Sequence, residues 1–297
     1  MSSEKFLSWC QAEAERCGIG WFGRHEQVGD ELLHYVAAGT GQPLVLIHGF
    51  MAWSYTWVHN LRPLSEYCQV LAPDLRGYGL SHKNHRLSHS LDDQVEVVRA
   101  FLDHLNIDQA VLCGHSMGGE VALRLALKYP TRVRGLVLVA ASSYVVSRDR
   151  PLQRFLLKTP GVGPLAVRAA VMNRRYVVKS LQFCFHDQSK FTPADVDAYY
   201  LPARSPSAAA AFARTVLDLD FGKWSNRWSE VEHPALLVWG ANDPLIPLAH
   251  GERLAKALPN SRLVVFDQCG HVPHAEHPST FNQEVLGFLS GLDQGGC

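Results

Sequence analysis

The stretch Ala110-Val111-Leu112-Cys113-Gly114-His115-Ser116-Met117-Gly118-Gly119 decides the fold. Ala110 to Cys113 is an apolar run with the makeup of a buried strand end. From Gly119 to Tyr129 the positions Val121, Leu123, Leu125, Ala126 and Leu127 describe a helix. Between them stands Gly-x-Ser-x-Gly. A strand that turns at once into a helix brings its flanking backbones together beside the serine. Side chains two before and two after would collide there, which is the reason for Gly114 and Gly118. Such a turn holds the serine in a strained conformation, hydroxyl outward, and aims the free N–H groups of the new helix at the same point. An ordinary Gly-rich turn has the same local composition, so the rest of the chain must discriminate.

The surroundings repeat the strand-then-helix rhythm. Glu31–Ala37, Pro43–Ile47, Val70–Pro73 and Val133–Ala141 read as strands, and Ala235–Trp239 and Leu263–Phe266 follow much later. Several are short continuous apolar runs, as in strands covered on both faces. Ser54–Glu66 reads as a helix disturbed by Pro63. Ser90 reads as the N-cap of a helix with acidic residues in its first turn, and Ala249–Leu258 and Phe281–Leu292 as two more helices. The alternation predicts an α/β fold with a mostly parallel sheet and helices on both faces. It stops between Ser142 and Glu232, where proline-split helical stretches dominate. That segment is either a helical insertion above the sheet or a set of helices packed outside it; the resumption of strands favours the insertion.

Composition narrows the function. Of 297 residues 47% are hydrophobic, enough for a sizeable core, and 28 Lys and Arg balance 28 Asp and Glu. No basic excess is present to neutralise phosphates, so nucleic acid is not an expected partner. Seven scattered cysteines without a C-x-x-C pair read as reduced, and the charged N-terminus lacks the apolar core of a secretory signal. The expected location is cytoplasmic, with no membrane span. Residues 1–24 form an N-terminal extension in which Phe6, Leu7, Trp9 and Cys10 suit one face of a docking helix, and residues 293–297 a flexible tail.

A serine hydroxyl is a weak nucleophile at neutral pH. It needs a base, and the base needs an orienting acid. In open α/β sheets such groups lie just beyond strand ends. Downstream of Ser116, the strand Leu236–Trp239 leads into Gly240-Ala241-Asn242-Asp243-Pro244, and the strand ending at Phe266 leads into Asp267-Gln268-Cys269-Gly270-His271. His274 and His277 follow His271 at three-residue spacing, but no cysteine or carboxylate completes a tetrahedral metal set, and no metal or other cofactor is expected.

Together, His48-Gly49-Phe50, the Ser116 turn, the Asp243 loop and the His271 loop resemble the α/β-hydrolase superfamily over about Glu31 to Leu292. The resemblance implies an eight-stranded, mostly parallel α/β-hydrolase sheet built from residues 25–141 and 233–292. It implies a helical cap, residues 142–232, inserted after the sixth strand. It implies Ser116 as nucleophile, Asp243 as orienting acid and His271 as base, with the backbone N–H groups of Phe50 and Met117 as the oxyanion hole. It also implies that Asp74 and Arg76 brace loops near the site. From the residues themselves, His48 and His115, next to a glycine and to the nucleophile, read as structural, and His82, His85 and His89 lie in a hydrophilic, solvated loop. Met51, Trp53, His115 and Tyr144 are the candidate pocket residues, though Met51 and the aromatic residues around it suit core packing nearly as well. Relatives with aspartate at the turn open epoxides or remove halide; serine instead points to acyl-enzyme chemistry. The expected activity is hydrolysis of a small to medium carboxylic ester by a serine esterase. Thioester or carbon–carbon bond hydrolysis by the same triad is the alternative, together with a ligand-binding protein that does not turn over. Relatives that cleave carbon–carbon bonds often carry a Ser/Gly-rich segment after His-Gly, where this chain is aromatic. Acyl and alcohol specificity and oligomeric state stay open.

Overall fold

The computed structural model describes residues 23–144 and 173–294. The expectations placed on the N-terminal helix face and on the tail beyond residue 294 lie outside the described residues. Eight strands form one sheet: β1 (Arg24–Val28), β2 (Glu31–Ala38), β3 (Pro43–Ile47), β4 (Gln69–Pro73), β5 (Ala110–His115), β6 (Val133–Val139), β7 (Ala235–Gly240) and β8 (Ser261–Phe266). Their order is β1-β2-β4-β3-β5-β6-β7-β8. β2 is antiparallel to both β1 and β4, and every other pairing is parallel. The expected α/β-hydrolase sheet is therefore present. β1 escaped the sequence reading because Arg-His-Glu-Gln-Val is polar and largely exposed at the sheet edge.

Alternation along the strands builds two cores. Val45, Ile47, Leu112, Leu136, Leu138 and Leu237 face one side and pack on helices α2 (Leu91–His104), α3 (Met117–Lys128) and α7 (Leu248–Ala257). Leu44, Leu46, Val111, Cys113, Val137 and Val238 face the other. There they meet α1 (Val58–Ser65) and, beyond a short α8 (Pro273–Glu276), the closing helix α9 (Pro278–Gln294). Each fully buried Leu, Ile or Val side chain contributes about 1.5–3 kcal/mol of transfer free energy. The helix expected over Ser54–Glu66 divides: Ser54–Trp57 is a 3-10 turn and α1 begins at Val58. Ser90 does cap α2, its hydroxyl accepting from the Asp93 N–H at 3.2 Å.

Between β6 and β7 the described residues hold α4 (Arg174–Cys184), α5 (Pro193–Ala203) and α6 (Pro206–Asp218) and no strand. Buried polar links join them to the sheet domain. Trp53 Nε1 donates to the Ala198 carbonyl at 3.1 Å, and the Tyr55 hydroxyl to Asp195 at 2.9 Å. Arg124 and Glu120 form a wholly buried ion pair on α3, and Glu120 also accepts from the Gly222 N–H at 3.1 Å. His89 corrects the expectation of a solvated loop. It is fully buried, and its Nδ1 pairs with Thr215 of α6 at 2.9 Å, whereas His82 and His85 are exposed.

The turn at Ser116 explains its glycines directly. A Cβ at Gly114 would lie 2.3 Å from the Gly118 carbonyl oxygen, and one at Gly118 would lie 2.3 Å from that of Ile47. Both neighbours are backbone and cannot give way. Gly118→Ala is expected to cost about 1–3 kcal/mol of stability, measured as a lower denaturation midpoint. A wild-type midpoint would contradict this account of the turn.

Candidate active site

Ser116 sits between the end of β5 and the first residue of α3, with φ 52° and ψ −115°. That left-handed conformation costs a residue with a Cβ about 1–3 kcal/mol. Three backbone hydrogen bonds hold it: Ser116 N–H to Val139 at 2.9 Å, and Gly119 and Ser142 N–H to the Ser116 carbonyl, each at 3.0 Å. Gly49, in the loop after β3, packs against the serine; a Cβ there would lie 3.1 Å from the Ser116 Cβ. The loop residue Phe50 and the helix residue Met117 thus flank Ser116 from two sides.

Asp243 lies beyond β7 and His271 beyond β8, both largely buried. His271 Nδ1 and Asp243 Oδ2 are 2.7 Å apart. The other carboxylate oxygen of Asp243 accepts the N–H groups of Leu245 and Ile246 at 2.8 and 2.9 Å. The acid is therefore fixed by its own loop and orients the imidazole. With Nδ1 engaged as donor, Nε2 is left as an acceptor. Ser116 and His271 line the same cavity. The Ser116 hydroxyl contacts the Ser142 hydroxyl at 3.4 Å.

The cavity has a volume of about 1160 Å³ and runs between the sheet domain and the inserted helices. Met51, Trp53, His115 and Tyr144 all line it, as does Phe50. Tyr55 and Trp57 do not: Tyr55 stacks on Trp53, and Trp57 is buried under the sheet beside His274. Residues the sequence did not single out complete the walls, among them Tyr78, Val177, Leu181, Phe212 and Ile246. Ser142 was also missed as a site residue. It stands just beyond β6, the same position logic that located the other polar groups.

Three imidazoles adjoin. His115 lies 4.8 Å from His271 and 4.6 Å from His274, centre to centre. His115 Nε2 donates to the His271 carbonyl at 2.9 Å. Burial, then the neighbouring imidazoles, holds His115 well below its ordinary range, and burial, then His271, brings His274 down to about 3. Both shifts favour the uncharged imidazole beside His271. His274 and His277 part ways: the first contacts Thr56, the second the Gln268 carbonyl. Among the described residues, no group of three His, Cys, Asp or Glu side chains could hold a metal ion. No helix among them is long and apolar enough to cross a membrane.

With this geometry in view, comparisons place the chain among known proteins. Residues 42–278 match the family described as alpha/beta hydrolase fold. The chain is 30% identical over 256 residues to an uncharacterized hydrolase of Bacillus subtilis (strain 168), covering 86% of this chain and 92% of that protein. It is 32% identical over 270 residues to a 2-hydroxy-6-oxononadienedioate/2-hydroxy-6-oxononatrienedioate hydrolase of Paraburkholderia phymatum, covering 88% and 92%. A solved membrane phospholipase A superimposes with a TM-score of 0.81 at 28% identity, covering 98% of this chain and 92% of that one.

A second buried carboxylate organises the loops around the cavity. Asp74 Oδ2 meets His34 Nδ1 at 2.8 Å and accepts the Leu80 N–H at 2.7 Å, and Oδ1 accepts the Ser54 N–H at 2.7 Å. Arg76 pairs with Glu31 and donates to the Ser88 carbonyl at 2.6 Å. Burial pushes the Asp74 carboxyl up, but His34, His48 and the Leu80 N–H together outweigh it and hold the group at about 2, below its ordinary 3.8. A carboxyl held lower in the folded chain stabilises the fold above its unfolded pKa and loses that contribution as pH falls through the folded one. Wild-type stability should therefore drop between about pH 4 and pH 2 in part through Asp74. Asp74→Asn should be less stable at neutral pH and lack that part of the acid limb in denaturant melts. An unchanged limb would remove Asp74 from this role.

Proposed function

The chain belongs to the alpha/beta hydrolase fold family, and on that footing we propose that it is a serine hydrolase cleaving a carboxylic ester through an acyl-enzyme. The observation that carries this reading is the pairing of a strained Ser116 with an Asp243-oriented His271 at one cavity. Ser116 Oγ attacks the ester carbonyl while His271 Nε2 takes its proton. The tetrahedral oxyanion is met by the N–H groups of Phe50 and Met117, each contributing on the order of 3 kcal/mol to the transition state. Asp243 stabilises the imidazolium. His271 then protonates the departing alcohol, and the acyl group stays on Ser116. Water, deprotonated by His271, attacks that ester; the acid leaves and Ser116 recovers its proton.

In this reading residues 25–141 and 233–292 are the catalytic domain and residues 142–232 its cap. The mostly apolar lining and the volume of about 1160 Å³ support a longer acyl chain or an aryl group rather than a small ester. The structural neighbour named as a phospholipase A is consistent with ester cleavage. A second reading, carbon–carbon bond hydrolysis by the same triad, is favoured by several relatives named as 2-hydroxy-6-oxo-dienoate or -dienedioate hydrolases, at 28–32% identity. Against it stands the apolar Phe50-Met51-Ala52-Trp53 segment at the cavity.

A panel of p-nitrophenyl esters of graded chain length separates these readings when run beside a 2-hydroxy-6-oxo-dienoate. Ester hydrolysis should rise with chain length, and Ser116→Ala, His271→Ala and Asp243→Asn should each lose on the order of 10³-fold or more in kcat. Efficient cleavage of the dienoate with poor ester turnover would transfer the triad to the second reading. Full ester hydrolysis by Ser116→Ala would overturn both.

A further inference from the structure

The loop that carries His271 is held from the side of the inserted helices. The His271 backbone N–H donates to the carbonyl of Cys184, the last residue of α4, at 2.7 Å. A Cβ at Gly270 would lie 2.2 Å from that same carbonyl oxygen, so glycine lets the two backbones touch. Glu276, 1% exposed, spans the same junction. Its Oε2 accepts the Gly270 N–H at 2.7 Å, and its Oε1 accepts the Asp187 N–H at 2.6 Å. Lys190 Nζ adds a bond to the Glu276 carbonyl at 2.8 Å.

A buried carboxylate is costly unless its oxygens are bonded, and its bonds to N–H groups are about twice as strong as neutral ones. Here the two N–H groups belong to different segments, one beside the base and one just beyond α4. Each side must stay in place for the carboxylate to stay satisfied. On α4 itself, Tyr176, Val177, Leu181 and Cys184 line the cavity. A ligand that fills the cavity therefore presses on the helix whose end carries the bonds to the His271 loop.

We propose that Glu276 is a positioning residue that couples occupancy of the cavity at α4 to the alignment of His271. The proposal rests on the reading of His271 as the base. In it, an ester that fills the cavity packs against α4 and so keeps the Asp187 N–H and the Cys184 carbonyl on Glu276 and His271 during turnover, which holds the base in register. A short ester fills little of the cavity and gains little from the junction. A merely structural Glu276 would instead support all esters alike.

Asp187→Pro tests this without touching the His271 loop. Asp187 is exposed and its φ is −96°, and proline removes its N–H. Asp187→Ala keeps the N–H and serves as the control for the lost side chain. Glu276→Gln removes one of the two acceptors from the other side. For an ester that fills the cavity, Asp187→Pro and Glu276→Gln should lower kcat by about 10- to 100-fold, with KM and the kcat for an acetyl ester changing by no more than about twofold. Asp187→Ala should behave as wild type. Equal losses for both esters, or an Asp187→Pro enzyme indistinguishable from Asp187→Ala, would overturn the coupling, as would a wild-type kcat independent of chain length. Absence of Ser116-dependent hydrolysis in the wild type would instead sink the serine-hydrolase reading itself.

Discussion

The backbone at Ser116 bends against its own preference, and three hydrogen bonds hold it there: one to Val139 at the end of β6, one within α3, and one from Ser142. The cost of the left-handed conformation is of the order of 1–3 kcal/mol, and the three hydrogen bonds offset it. Gly114 and Gly118 have backbone where a side chain would be, so α3 is pressed against the sheet at the residue where it starts. This fixes the hydroxyl beyond the strand ends, next to the loops that follow β3, β6, β7 and β8. The rest of the site is assembled against a serine that cannot relax away.

Those loops share one physical device. Asp74, Asp243 and Glu276 are buried carboxylates, and each accepts backbone N–H groups from loops bordering the cavity. A loop at a strand end has unpaired N–H groups, and a buried carboxylate has oxygens that need donors. Pairing them satisfies both and makes irregular backbone rigid. The second oxygen of Asp243 meets His271, an oxygen of Asp74 that also accepts the Leu80 N–H meets His34, and the second oxygen of Glu276 meets the inserted segment. The same chemistry thus gives a carboxylate that holds an imidazole, a loop brace and a junction to the inserted segment.

What was legible in the sequence is what obeys local rules. β3, β5, β6 and β7 are continuous apolar runs, and Ser116, Asp243 and His271 each follow a strand within a few residues, so their positions, together with the family resemblance, singled them out as candidates. β1 was missed because an exposed edge strand has no apolar face to show. His89 and Glu276 were missed for a different reason. His89 looks like one polar residue in a hydrophilic loop, yet Thr215, far along the chain, buries it. Glu276 bonds to Asp187, also distant in sequence, and no periodicity encodes such a pairing. The cavity walls divide on the same line. Met51 and Trp53 adjoin the His48-Gly49 motif, whereas Val177, Leu181 and Phe212 come from helices that carry no motif.

In the proposed mechanism Ser116 is acylated with His271 as the base. Incubation with a fluorophosphonate, followed by peptide mass mapping, tests it without knowledge of the natural substrate. A single phosphonyl adduct on Ser116, formed much more slowly in His271→Ala and absent from Ser116→Ala, is the predicted result. An unlabelled Ser116 in the folded wild type, or labelling at the same rate in His271→Ala, would contradict it.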